Sequence, residues 1–176
     1  MPDATGLELI AHDLREQVPG SVTGTLHYRG IATLVVDPDR VIEALAWLRE
    51  TPNQGYDFLA SVHGSDYLPA TPRFAVHYEL LNMDRVERLH VKAPLEVPEE
   101  GALPELDSCV DLFPTANFQE REAYDMFGIR FRGHPDLRRI LMPEEYGGWP
   151  QRRDFPVGGE PVLFTHNEPD TPRWYE

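Results

Sequence analysis

The chain has 176 residues, enough for one domain with an appendage and a real core but short for two independent units. Its 16 basic residues stand against 30 acidic ones, a formal net charge of -14, which argues against nucleic acid or anionic lipid as the main partner because both require a positive footprint. A single cysteine, Cys109, excludes an intrachain disulfide and a four-thiolate iron-sulfur cluster, and a reducing compartment is the simplest setting. The start, Met1-Pro2-Asp3-Ala4-Thr5, lacks the basic and apolar stretches of a secretory signal. Leu7, Ile10, Leu14 and Val18 then recur at helical spacing up to Pro19-Gly20, which predicts an amphipathic helix over residues 6–18.

Val22 to Tyr28 and Ile31 to Val36 read as strands joined in a hairpin through Arg29-Gly30. The second of these, among the longest apolar runs, is far too short to span a bilayer, so no direct membrane insertion is expected. Asp37 suits the cap of a helix with Pro38 at its first position, and Val41, Leu45 and Leu48 form the inward stripe. Tyr56, Phe58, Ala60 and Val62 alternate with polar neighbours, as do Phe74, Val76, Tyr78 and Leu80, and a further strand falls near Val86 to Val91. The order predicts an α+β fold: an antiparallel-rich mixed sheet with helices on one face, followed by a motif helix and an extended C-terminal arm. Pro94 to Pro104, acidic and proline-rich, reads as a connecting loop. Leu106, Val110 and Phe113 suggest a short helical stripe ended by Pro114.

The densest segment comes next. Asn117 suits the cap of a helix whose third position is Glu120, and Gly128 suits its C-terminal cap. Arg121 and Asp125, four apart, would share a face. Ile129 to Arg132 alternates as a short extended piece, Gly133-His134-Pro135 turns the chain, and Leu137, Ile140 and Leu141 suggest one more helical turn before Pro143. A solvated, salt-bridged face explains such charges on an average helix; here the closeness of Phe127, Phe131 and Leu137 favours a partly buried network. Beyond Leu141 prolines and paired glycines forbid long helices, while Tyr146, Trp149, Phe155, Phe164, Trp174 and Tyr175 are too many aromatics for a segment left in water. Residues 1–141 therefore form the domain and 142–176 an arm, which wraps its own domain or, as the aromatic load favours, another subunit.

Motifs for nucleotide, phosphate, thiol or zinc chemistry are absent from the sequence. His12, His27, His63, His77, His90 and His166 have no ligand spacing, and packing or surface roles suit them. His134, beside Pro135, orders its turn through hydrogen bonds or, as the lesser reading, relays a proton. Glu120 and Glu122, two apart on a helix, diverge and make a poor acid-base pair. All basic residues but Lys92 are arginine; codon usage explains that ratio, yet arginine's planar fork suits buried or interfacial carboxylates.

Glu120-Arg121-Glu122, Asp125-Met126-Phe127-Gly128 and Gly133-His134-Pro135, with Leu137-Arg138-Arg139-Ile140-Leu141, closely resemble the signature of the C subunit of the proton-pumping NADH:quinone oxidoreductase, respiratory complex I. Met142 to Glu145 and Arg152 to Pro156 are similar to that family's tail, so the resemblance covers essentially the whole chain. Two departures are Phe118 where the family usually has Trp, and Trp149 where a His commonly precedes the proline, which removes a polar group from the arm. The resemblance implies a scaffold protein with no catalytic, cofactor or metal site of its own. It would sit beside the quinone-site D subunit and the iron-sulfur B and I subunits, peripheral on the cytoplasmic side of the cell membrane. FMN, iron-sulfur clusters, NADH and quinone would be held by other subunits. Glu120, Arg121, Glu122, Asp125, Phe127, Gly128, His134, Pro135, Arg138, Arg139, Arg152, Arg153 and Asp154 are then interface and signature residues.

The nearest rival keeps the fold and changes the machine: a homologous subunit of a ferredoxin- or deazaflavin-dependent quinone reductase or of a membrane-bound hydrogenase. A free-standing hydrolase using His134 with a carboxylate lacks a nucleophile motif. A soluble adaptor outside any respiratory complex is the third.

Overall fold

The structure, a computed structural model, describes residues 1–97 and 102–156. Helix α1 (Ala4–Gln17) starts ahead of its apolar stripe because the Asp3 carboxylate accepts the Gly6 amide at 2.7 Å and caps it. It buries Leu7, Ile10, Ala11 and Leu14. Strands β1 (Val22–Tyr28) and β2 (Ile31–Val36) pair antiparallel, and the expected hairpin turns through Arg29 at φ 51° and Gly30 at φ 79°. Positive φ at both residues supplies the backbone twist that a two-residue hairpin loop requires. Asp37 caps the next turn as expected, accepting the Asp39 amide at 2.9 Å, but the chain enters α2 (Val41–Glu50) through a tighter 3-10 turn over Pro38–Arg40.

Strands β3 (Phe58–Asp66), β4 (Phe74–Asn82) and β5 (Glu87–Leu95) complete a sheet of order β1-β2-β5-β4-β3. Only the β2 to β5 pairing is parallel, so the sheet is mixed and antiparallel-rich, as the sequence predicts. The pleat sorts side chains into two faces. Leu34, Val91, Tyr78 and Val62 stand in register across four strands on the face that α1 and α2 cover, and all are buried. The opposite face carries Val35, Lys92, His77 and His63 in the adjacent row.

The second half departs from expectation in three places. Leu106 belongs to a strand, β6 (Glu105–Asp107), paired in parallel with β7 (Arg130–Arg132), and residues 109–113 close as a turn through the Phe113 amide to Cys109 oxygen bond at 2.8 Å. The three apolar residues face inward as their spacing demands, but backbone bonds offered by β7 outcompete a helix. Helix α3 (Ala116–Phe127) begins before Asn117; Thr115 precedes it and makes no side-chain cap. The stretch 137–141 makes no helical turn, because the amides of Ile140, Leu141 and Met142 all donate to Asp125. Short extended β7 and the Gly128 cap at φ 69° are as expected.

Helix α3 lies along β3, the edge of the sheet. Gln119 accepts the Val62 amide, and the Thr115 hydroxyl donates to the Leu59 carbonyl at 3.4 Å. A helix side chain thus occupies a backbone group that an open edge would otherwise leave free to pair with another chain.

Candidate interaction site

Helix α3 turns two signature carboxylates inward. Glu120 is fully buried and accepts the Ser108 hydroxyl at 2.6 Å and the Cys109 amide at 2.8 Å, tying the helix to the segment after β6. Burial raises its pKa, only partly offset by those donors. It is a core tie and not the dipole partner that a capping position would have made it.

Asp125 is fully buried as well and organises the loop beyond β7. One oxygen accepts the amides of Ile140, Leu141 and Met142 at 3.0, 2.7 and 2.9 Å; the other meets Arg139 Nη1 at 2.6 Å. Burial alone would raise its pKa, but the amides and Arg139 outweigh it and hold the carboxyl below its usual range. Arg139 continues to the carbonyls of Tyr146 and Gly148 at 2.9 and 2.8 Å and lies 4.6 Å from the centre of the Trp149 ring. Asp125 therefore pairs with Arg139 and not with Arg121, its neighbour four residues away. Arg121 spans to the carbonyls of Arg138 and Arg139 at 3.2 and 3.1 Å.

His134 is a staple. Its Nδ1 accepts the Asp136 amide at 3.0 Å, so Nε2 carries the hydrogen and donates to the Asn117 carbonyl at 3.0 Å, binding the turn at Pro135 to the first turn of α3. Arg138 meets Asp136 at 2.9 Å, both exposed, where an ion pair adds little. Glu122 is exposed, on the wall of a groove that Ser61, His63, Gln119 and Gln151 also line.

The described half of the arm lies on its own domain, against the expectation that favoured another subunit. The Gln151 amide donates to the Met126 carbonyl at 3.1 Å, and Arg152 Nε to the Phe127 carbonyl at 2.6 Å. Gly128 makes this approach feasible: a Cβ there would lie 2.6 Å from both Trp149 and Arg152. Gly64 on β3 likewise yields its side-chain space to Phe127, whose ring would be 2.8 Å from a Cβ. Trp149, the departure from the family pattern, packs edge-on against Tyr124 at 5.2 Å and stacks with two arginines, so an aromatic surface holds the arm at that position. Phe164, Trp174 and Tyr175 lie outside the described residues.

Asp66 is a second anchor that sequence reasoning missed. It accepts Arg73 at 3.0 and 2.8 Å, the Leu68 amide at 2.9 Å and the Arg153 amide at 2.9 Å, while Arg73 also holds Asp154 at 2.7 Å. Burial opposes its ionisation, but these donors win and bring its pKa down to about 2. No local pattern marks it, since Asp66, Arg73 and Arg153 meet only through folding. Arg153 reaches the Leu68 carbonyl at 2.8 Å.

With the signature charges largely engaged inside the chain, the loop and helix leave apolar groups outward: Phe118 is 64% exposed and Leu141 61%. Among the described residues no His, Cys, Asp and Glu group is arranged to hold a metal ion, and no helix is long and apolar enough to cross a membrane.

Residues 34–161 match the family of the respiratory-chain NADH dehydrogenase 30 Kd subunit. The NADH-quinone oxidoreductase C subunit of Roseiflexus sp. (strain RS-1) is 41% identical over 155 residues, 88% of this chain and 87% of that protein. The C subunit of the same enzyme from Herpetosiphon aurantiacus is 48% identical over 139 residues, 79% of each chain. Among solved structures, a chain of the membrane-bound sulfane sulfur reductase, an archaeal respiratory membrane complex, superposes with a TM-score of 0.66 over 93% of this chain and 90% of that one. At 21% identity that likeness speaks for the fold alone. On the family match over residues 34–161 and on these relatives, the chain belongs to the family of the respiratory-chain NADH dehydrogenase 30 Kd subunit, the C subunit of NADH-quinone oxidoreductase.

Proposed function

We propose that the chain is a non-catalytic docking subunit of the hydrophilic arm of NADH:quinone oxidoreductase, placed against the quinone-site D subunit and the iron-sulfur B and I subunits. It supports electron transfer from NADH to quinone, coupled to proton translocation, by position. FMN, clusters, NADH and quinone belong to other chains, and the protein is peripheral on the cytoplasmic side of the membrane. One observation carries this reading. The signature segment engages its buried carboxylates and Arg139 in fixing a loop; that pinned loop presents Ile140 and Leu141 to the outside, and helix α3 presents Phe118. Apolar residues held on a pinned backbone suit recognition, because little ordering entropy remains to be lost on binding.

The fold is shared with a respiratory complex of other substrate, so fold does not choose the electron donor. Identities of 41% and 48% to NADH-quinone oxidoreductase subunits favour NADH. A tagged copy, purified from membranes in mild detergent, is expected to retain the other subunits with NADH:quinone reductase activity. Phe118→Asp with Leu141→Asp, both at exposed positions, should leave the chain folded while the retained subunits fall at least about tenfold, the equivalent of 1.4 kcal/mol. Full retention and activity in that variant would overturn the docking role of the segment.

A further inference from the structure

The sheet face opposite α1 and α2 is covered by no helix among the described residues; α3 reaches only its rim beside β3. Its rows are set by register: Leu26, Thr33, His90, Glu79 and Ser61 in one, then Val35, Lys92, His77 and His63 in the next. Leu26, Tyr28, Ile31 and Phe58 belong to this face and are 55%, 59%, 44% and 46% exposed. Leu26, Tyr28 and Ile31 stand together on the β1-β2 hairpin at one edge of the sheet and form a patch, unlike the scattered single residues normal on a surface, whereas Phe58 stands apart on β3, the opposite edge.

The centre of the face is polar, with its histidines paired among themselves and with neighbouring hydroxyls, while Glu79 Oε2 is buried without a hydrogen-bond partner among the described residues. His77 Nε2 bonds Ser65 and Tyr67 hydroxyls at 2.6 and 3.1 Å, His77 Nδ1 bonds His90 Nε2 at 2.9 Å, and His90 Nδ1 bonds the Thr33 hydroxyl at 3.3 Å. His63 stacks on His77 with ring centres 5.1 Å apart. Burial drives His77 down to about 3 and His90 to about 4, so both rings are neutral at pH 7 and add little to the cost of covering the face. Lys92, the only lysine of the chain, lies 4.1 Å from the Tyr67 ring centre in the same layer; Arg88 shares the face and Arg29 stacks over Tyr28 at the hairpin tip. Against them Glu79 is the single acid in these rows, partly buried, on a chain of net charge -14.

Resting on the docking reading above, we propose that this helix-free face is a second docking surface, for another subunit of the same complex that brings an apolar patch with carboxylates opposite Lys92 and Arg88. Charge decides among occupants. A second copy paired face to face would set two faces of the same net positive sign against each other, each with Lys92 and Arg88 and the single acid Glu79, and anionic lipid or nucleic acid would meet the acidic remainder of the chain. A separate protein surface of opposite local charge avoids both conflicts.

The test replaces Ile31 with the photo-crosslinking residue p-benzoylphenylalanine in the tagged, membrane-assembled protein. Irradiation is expected to join it to a different subunit of the complex. An adduct between two copies of the chain, an adduct to residues 157–176 of the same chain, or no adduct at all would each overturn the proposal. A second variant, Leu26→Asp with Ile31→Asp, changes only exposed groups and should cut retention of the crosslinked partner at least about tenfold. If it retains that partner fully while the Phe118 and Leu141 variant does not, the sheet-face proposal fails and the docking reading stands. If the unsubstituted chain retains no other subunit, the docking reading itself fails.

Discussion

Asp125 shows how one side chain can define a surface it does not belong to. With three amides and Arg139 as donors, it acts as the hub for backbone that would otherwise be an unsupported loop. Asp125→Ala leaves Arg139 partly buried without its carboxylate, a change that costs about 3–5 kcal/mol in comparable buried pairs. Urea unfolding of the isolated chain should show a loss of that order, whereas Glu122→Ala, at an exposed position, should stay within about 0.5 kcal/mol. Asp66 supplies the matching pH dependence. Its folded pKa of about 2 lies below the ordinary carboxylate value, so its stabilisation is complete above the unfolded pKa of about 4 and is lost as pH falls towards 2. Unfolding midpoints of Asp66→Asn should therefore fall below those of the unsubstituted chain at pH 6 and converge with them near pH 2; a constant gap would show that hydrogen-bond geometry, and not charge, accounts for Asp66.

At the scale of the element, the sheet carries its own titration. His77 and His90 have folded pKa values of about 3 and about 4, below the unfolded value of 6.5, and His63 is lowered in the same direction by burial. The unfolded chain then binds more protons, so stability from these groups is full above pH 6.5 and declines as pH falls towards 4. Replacing His77 and His90 together by Gln should flatten the stability profile between about pH 6.5 and 4, read by thermal unfolding at each pH. An unchanged slope would place the acid sensitivity elsewhere. Strand β4 was legible because alternation reports a sheet face directly: Tyr78 in and His77 out follow from the pleat alone. In β3 the alternation that grouped Tyr56, Phe58, Ala60 and Val62 fails, because a bulge between Leu59 and Ser61 shifts the phase and turns Phe58 and Ala60 outward while Leu59 and Val62 are buried. The helical turn assigned to 137–141 failed for an instructive reason. Leu137, Ile140 and Leu141 have helical spacing, but the amides of Ile140, Leu141 and the adjoining Met142 are captured by Asp125, a residue whose partner could not be seen before folding. Leu106 failed similarly, through its pairing with Phe131 of β7. Elements defined by their own side-chain period are readable; elements defined by a distant donor or acceptor are not. The three histidines on the open face belong to the second kind, since spacing gives His63, His77 and His90 nothing in common until β3, β4 and β5 align.

For the whole molecule, the decisive question is which part of the arm the domain needs. A division at Leu141 predicts that residues 142–176 can be removed without loss of folding. The contacts of the stretch to Pro156 argue for a later division, because that stretch packs on β3, β4 and α3. Arg153 supplies an amide to buried Asp66, Asp154 shares Arg73, and Arg152 lies 5.0 Å from the Phe74 ring centre with its Nε on the last carbonyl of α3. Removal after Leu141 would also strip Arg139 of the Tyr146 and Gly148 carbonyls and of the Trp149 ring. Several buried donors and acceptors lose partners together, each at about 1–3 kcal/mol, against a total stability of about 5–15 kcal/mol for a domain. A chain ending at Leu141 should therefore unfold or populate a loosened state, seen as lost near-ultraviolet dichroism and faster amide exchange along β3 and α3. One ending at Pro156 keeps all of these contacts and should unfold at a higher midpoint than the chain ending at Leu141. Equal stability of the two truncations would mean that the inner arm rests on the domain without supporting it, and the boundary would return to Leu141.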